Sequence, residues 1–142
     1  MENGEWRMEN GELKIKNGEL KIKSMKENII QQKSFAFAIG IVNSYKYFQT
    51  EKKEFVLSKQ LLRSGTSIGA NVEEAIGGQS KKDFIAKISI SYKEARETMY
   101  WLKLLKATFY LDEKEADSIS RDAEELCKIL SSILVSSKQN NS

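Results

Sequence analysis

Between Gln60 and Ala75 the chain carries a helical pattern whose centre is built from small residues: Ser64, Gly65, Ser67, Gly69 and Ala70. Leu57, Leu61, Ile68, Val72 and Ala75 fall on one face at helical spacing. Each glycine inside a helix costs about 1 kcal/mol relative to alanine. A helix that keeps two of them is expected to be approached closely by another backbone. Arg63, Ser67, Asn71 and Glu74 recur at spacings of four, four and three, so they form one polar row. Such a row is either a buried polar network or a binding surface, and the residues leave both open.

The chain has 142 residues and no proline. That length predicts one domain, and the absence of the strongest helix breaker favours a few long helices joined by short turns. Histidine is absent too. This removes the commonest general base, the His-dependent nucleophile systems and most zinc and di-iron sites. No metal site and no cofactor is therefore expected. Cys127 stands alone, cannot form an internal disulfide, and suits a reducing compartment. Its expected role is that of a small buried hydrophobe. No apolar run approaches the roughly 18 residues a membrane span requires, and the polar N-terminus carries no secretory signal. A cytoplasmic location without membrane contact is expected.

Residues 3–23 repeat with period seven, and Asn10–Lys16 recurs unchanged as Asn17–Lys23. Each unit carries Asn-Gly, a turn signal that argues against a coiled coil. Residues 1–24 are expected to be a disordered or loosely attached leader, with Met25 as an alternative start. A partner-binding arm is the competing reading, but five acids balance five bases there.

From residue 25 to 142 the pattern predicts an all-α fold, an up-down-up-down antiparallel four-helix bundle. The helices are expected over residues 28–49, 55–76, 80–109 and 113–137. On the first, Phe37, Ala38, Ile41, Val42, Tyr45 and Phe48 make the core stripe, widened by Phe35 and Ile39. Gly77-Gly78 ends the second. Ser80 with Asp83, and Asp112 with Glu115, cap the third and fourth. On the third helix Ile88, Tyr92, Ala95, Met99, Leu102 and Phe109 form one stripe, while Ile90, Trp101 and Leu104 form another. A helix apolar on two sides has more to bury than one monomer core covers. Ile90, Trp101 and Leu104 are therefore read as an oligomer interface, with self-association as the simplest partner.

Charge is unevenly spread. Residues 26–111 hold fourteen Lys and Arg against eight Asp and Glu, whereas residues 112–142 hold four against seven. Lys81, Lys82, Lys93, Arg96, Lys103 and Lys106 cluster on the third helix and are read as a phosphate-contacting surface for RNA or DNA. The competing reading is a solvated helix face interrupted by Glu94 and Glu97. Tyr100 and Trp101 are stacking candidates, although aromatics on bundle helices more often pack. The carboxylates Glu73, Glu74, Glu94 and Glu97 raise the question of acid–base chemistry. Arg63 and Arg96 on the same helices make internal pairing the simpler account. Arg63, Ser67, Asn71 and Glu74 are expected to face Glu94 and Glu97 across the helix pair, as a buried network that specifies register.

The stretch Gln60–Ala75, followed by Ser80-Lys81-Lys82-Asp83-Phe84-Ile85 and by Ser91-Tyr92-Lys93-Glu94-Ala95-Arg96-Glu97-Thr98-Met99-Tyr100-Trp101-Leu102, resembles the bacterial four-helix-bundle family named for 23S rRNA intervening sequences. Lys33–Ala38 and Tyr45-Lys46 also fit, so the resemblance spans roughly residues 28–137. It matches at Arg63, Ser67, Asn71, Glu74, Glu94 and Glu97. It departs at Val72-Glu73-Glu74-Ala75, where the family often has Ile-Ala-Glu-Gly. The resemblance implies a ring-like homo-oligomer, a pentamer, without enzymatic activity. The accessory proteins of diversity-generating retroelements are similar in fold and imply contact with nucleic acid and a reverse transcriptase. A protein scaffold or adaptor without specific nucleic-acid binding is the alternative. Gly65-Thr66-Ser67-Ile68-Gly69 lacks the Gly-Lys-Ser/Thr ending of a phosphate-binding loop, so an enzyme ranks last.

Overall fold

A computed structural model describes the backbone of residues 6–9, 12–15 and 18–139, and the side chains of residues 25–139. Four helices make up the body: α1 (Gly18–Tyr47), α2 (Leu57–Ile76), α3 (Lys81–Ala107) and α4 (Glu113–Gln139). Each packs against its neighbours in sequence, and α1 returns against α4. The result is an antiparallel four-helix bundle with up-down-up-down connections. Two short strands precede it, β1 (Trp6–Glu9) and β2 (Glu12–Ile15), paired antiparallel with Trp6 opposite Ile15. Much of the expected leader, residues 1–24, lies outside the described residues. Where it is described it consists of this hairpin and the first turns of α1.

The core follows one rule most clearly on α2 and α3, where buried residues recur at alternating steps of three and four. On α3 they are Phe84, Ile88, Ser91, Ala95, Thr98, Leu102 and Leu105. On α2 the series runs Ser58, Leu61, Gly65, Ile68, Val72 and Ala75. This is the spacing that keeps a seam facing a neighbour along a helix pair. It corrects two expectations. On α1 the buried series is Ile30, Ser34, Phe37 and Ile41, continued by Phe48 just past the helix, so the row Phe35, Ile39, Val42 does not widen the core and is exposed instead. On α3 Phe109 lies past the helix end and is 89% exposed.

The small residues of α2 make room for α1. A Cβ on Gly65 would lie 2.9 Å from Ile41 Cγ1, and one on Gly69 would lie 3.4 Å from the Ser34 carbonyl oxygen. At Gly69 the neighbour includes backbone, as expected; at Gly65 it is the branched side chain of Ile41. Helix ends are held by local chemistry. The Ser80 hydroxyl accepts from the Asp83 N–H at 3.0 Å, and the Asp112 carboxylate accepts from the Glu115 N–H at 2.8 Å.

The α1–α2 connection runs through a π-helical turn, Phe48–Lys52. Glu54 follows and is 8% exposed. Its carboxylate accepts from the N–H groups of Val56 (3.1 Å), Leu57 (2.9 Å) and Ser58 (2.6 Å), so it caps α2 from outside the helix. Burial alone pushes this carboxyl up; the donated backbone hydrogen bonds outweigh burial and hold it below the usual carboxylate range.

Candidate nucleic-acid interface and the α2–α3 seam

The outer face of α3 follows from the phase of its core. With Ile88, Ala95 and Leu102 buried, Lys93, Arg96, Tyr100 and Lys103 fall on the opposite side at steps of three, four and three. All four are exposed, Tyr100 by 57%. Lys93 and Lys103 form no ion pair among the described residues. Arg96 leans over Tyr92, 5.9 Å from the ring, and donates to its hydroxyl at 3.2 Å. Lys82 is also exposed, whereas Lys81 is half-buried at the helix start. Lys106 is drawn away from this row: its ammonium sits 2.8 Å from Asp117 of α4, which raises its affinity for a proton.

On the α2 side of α3 the expected polar row divides. Arg63 reaches across the seam and pairs with Glu94 at 3.2 Å and with Glu97. Trp101 donates its indole N–H to Glu97 at 2.9 Å. That hydrogen bond, with Arg63 beside it, holds the Glu97 carboxyl below its ordinary range against the opposing effect of burial. Ser67 and Asn71 do not cross. Ser67 donates to the Arg63 carbonyl at 2.6 Å, and Asn71 donates to the Ser67 carbonyl at 2.9 Å. Glu74 pairs with Lys87 at 2.8 Å. The Arg63 side chain keeps 47% of its surface in solvent, so the cluster is a surface clasp, not a buried network. Both short polar side chains are satisfied on the preceding turn of their own helix, an alternative open to such residues.

The buried polar contacts of this seam are others. Thr98 and Ser64 bring their hydroxyls to 3.0 Å, and Ser91 donates to the Ile68 carbonyl at 2.8 Å. Ser64, Ser91 and Thr98 are all fully buried. The signal for Ser91 and Thr98 lies in their spacing: they continue the three–four series of Ile88, Ala95 and Leu102. Of the three residues read as an oligomer interface, Ile90 is exposed. Trp101 and Leu104 are half-buried, and Trp101 packs edge-on against Tyr100 at 5.1 Å. The larger exposed apolar row lies on α1, at Phe35, Ile39 and Val42, with Phe35 69% exposed. Cys127 is buried with its sulfur 3.8 Å from that of Met99, and burial pushes its thiol up.

Four antiparallel helices, a tight small-residue seam and a separate exposed basic flank define an antiparallel four-helix-bundle protein. Residues 26–132 match the family described as 23S rRNA-intervening sequence protein, and the chain belongs to that family. Among solved structures it is similar to a protein with unknown function from the S23 ribosomal protein family of Bacteroides thetaiotaomicron. The two are 53% identical, the match covers 78% of this chain and 98% of that one, and the TM-score is 0.77. No curated protein matches the chain. Among the described residues no helix is long and apolar enough to cross a membrane.

Proposed function

We propose that this chain is a non-enzymatic bundle that assembles with copies of itself and contacts RNA or DNA along the outer face of α3. One observation carries the reading. Lys93, Arg96 and Lys103 form an exposed basic row with Tyr100 set inside it, and no carboxylate pairs with either lysine among the described residues. Exposed cations along a helix can neutralise backbone phosphates, and an exposed ring between them adds a stacking surface. Lys82 extends the row toward the helix start; Lys81 and Lys106 contribute less, being half-buried and paired respectively. Self-assembly is supported by the exposed row Phe35, Ile39 and Val42 together with Ile90. A ring of five copies is the form implied by the family resemblance. The lone Cys127 and the absence of histidine fit a reducing cytoplasm and a binding role.

The test is a titration of the full chain with a structured rRNA fragment and a scrambled control, at low and near-physiological salt. Binding should prefer the rRNA fragment at both salts and weaken on Lys93→Gln and Lys103→Gln. Equal binding of both RNAs that vanishes with salt would mean a basic surface and nothing more. The apolar rows on α1 and α3 would then favour the second reading, a scaffold that binds another protein.

A further inference from the structure

The basic row of α3 runs into an open cleft at one end of the bundle. Lys103 lines that cleft together with Lys52 from the α1–α2 turn, Lys106, Leu111 and Phe109. Phe109 sits where α3 stops. Its N–H bonds back to the Lys106 carbonyl at 3.1 Å, and the Tyr110 N–H bonds to the Leu105 carbonyl at 3.0 Å. This pair of bonds is the Schellman helix ending, whose left-handed residue is usually glycine. Here the residue is phenylalanine, at φ 67°. A bulky residue in that region is uncommon enough to call for a reason. Packing does not provide one, because the ring is the most exposed large apolar side chain among the described residues.

The charges around it are asymmetric. Lys106 is committed to Asp117, and Asp112 is committed to capping α4. Lys52 and Lys103 are left without an ion-pair partner among the described residues, against the exposed Glu113. A free aromatic face flanked by unpaired ammonium groups, at the end of a basic row, is the arrangement that holds one unstacked base and its neighbouring phosphates.

We propose that Phe109 is a stacking platform for an unpaired base of a single-stranded nucleic acid whose backbone follows Lys103 and Lys52. The proposal rests on the nucleic-acid reading of α3 and adds to it a strand type and an anchoring point. A duplex cannot offer an unstacked base, so Phe109 discriminates single strands from duplexes, while Lys93 and Arg96 contact both.

The experiment titrates the full chain with a labelled single strand of about 12 nucleotides, within the site sizes usual for such binders, and with a blunt-ended two-strand duplex of the same length, over a range of salt. Phe109→Ala should weaken single-strand binding about 5- to 150-fold, the range for losing one stacked base. It should leave duplex binding and the salt slope unchanged, and Phe109→Trp should restore single-strand affinity. Lys52→Gln with Lys103→Gln should lower the slope by about 1.4, as for two phosphates on a single strand. If Phe109→Ala binds the single strand like the wild type, or weakens strand and duplex equally, the platform is overturned. If in that case Lys93→Gln and Arg96→Gln still weaken binding, the α3 reading stands without it. If the wild type binds neither probe at low salt, both readings fall together.

Discussion

Thr98 on α3 meets Ser64 on α2 with their hydroxyl oxygens 3.0 Å apart and both side chains fully buried. The Thr98 hydroxyl also lies 2.8 Å from the Glu94 carbonyl of its own helix, so its one proton has two acceptors in reach. Ser64 has a second, longer contact, donating to the Leu61 carbonyl at 3.4 Å. Thr98→Val therefore removes the shorter bond and leaves Ser64 only the long one. We expect it to destabilise the fold by about 1 kcal/mol, the net worth of one buried hydrogen bond. Ser64→Ala with Thr98→Val should recover part of that loss, because no hydroxyl is then left with a single long bond. Urea melts of the two singles and the double close the cycle. Strict additivity would show that the hydroxyls do not interact.

Two glycines should respond oppositely to an added methyl group. Gly65 is buried, and a methyl there would fall 2.9 Å from Ile41 Cγ1, so α1 or the isoleucine rotamer must move. Gly40 is on the exposed side of α1 with nothing within 4 Å of an added Cβ. Alanine is the better helix former at both sites by about 1 kcal/mol. Overpacking at Gly65 costs about 1–3 kcal/mol and wins there. Gly65→Ala should therefore lower the unfolding free energy while Gly40→Ala raises it. Adding Ile41→Val to Gly65→Ala should return part of the loss. Equal shifts for the two alanines in a melt would mean that α1 and α2 do not approach as closely as described.

Glu54 ties stability to pH. Its carboxylate is charged and receives three backbone N–H groups in the fold, and its folded pKa is lowered relative to the unfolded chain. The unfolded chain thus takes up the proton first as pH falls. The stabilisation is fully present above the ordinary carboxylate range near 4.5 and is lost as pH drops through the lower folded value. Glu54→Gln keeps the shape and removes the charge. We expect it to destabilise by about 1 kcal/mol at neutral pH, as for a charge at a helix N-terminus. That difference should shrink to nothing in acid. A gap between variant and wild type that persists unchanged from neutral pH down to about pH 3, below the ordinary carboxylate range, would assign the loss to shape alone.

How far the sequence reveals this molecule depends on how local each determinant is. The caps at Ser80 and Asp112 are legible because a cap is decided within four residues. The antiparallel bundle is legible from short turns between long apolar stripes. The phase of α1 is not, because Phe35, Ile39 and Val42 compete with Ile30, Phe37 and Ile41 for the core. Only packing against α2 shows that Ser34 faces inward. The polar row on α2 is half legible. Arg63 has the length to reach Glu94 and Glu97, whereas Ser67 and Asn71 close onto their own helix. Glu54 is hidden because it caps α2 from beyond a π-helical turn, outside the usual cap position.

Phe109 offers the sharpest separation of stability from binding. A non-glycine residue in the left-handed region carries roughly 1–2 kcal/mol of steric strain, and at this site the ring returns no packing, being 89% exposed. Phe109→Gly should therefore raise the unfolding free energy by about 1 kcal/mol, somewhat less than the strain because glycine also gains freedom in the unfolded chain. The same variant should lose the preference for single strands over duplex. A residue kept only for the fold would lose stability on replacement, and one kept for nothing would gain stability with no change in single-strand binding. Thermal melts and single-strand titrations on one preparation of the full chain read both. A stabilised variant that binds single strands as the wild type does would leave the strained ring without a purpose in nucleic-acid contact.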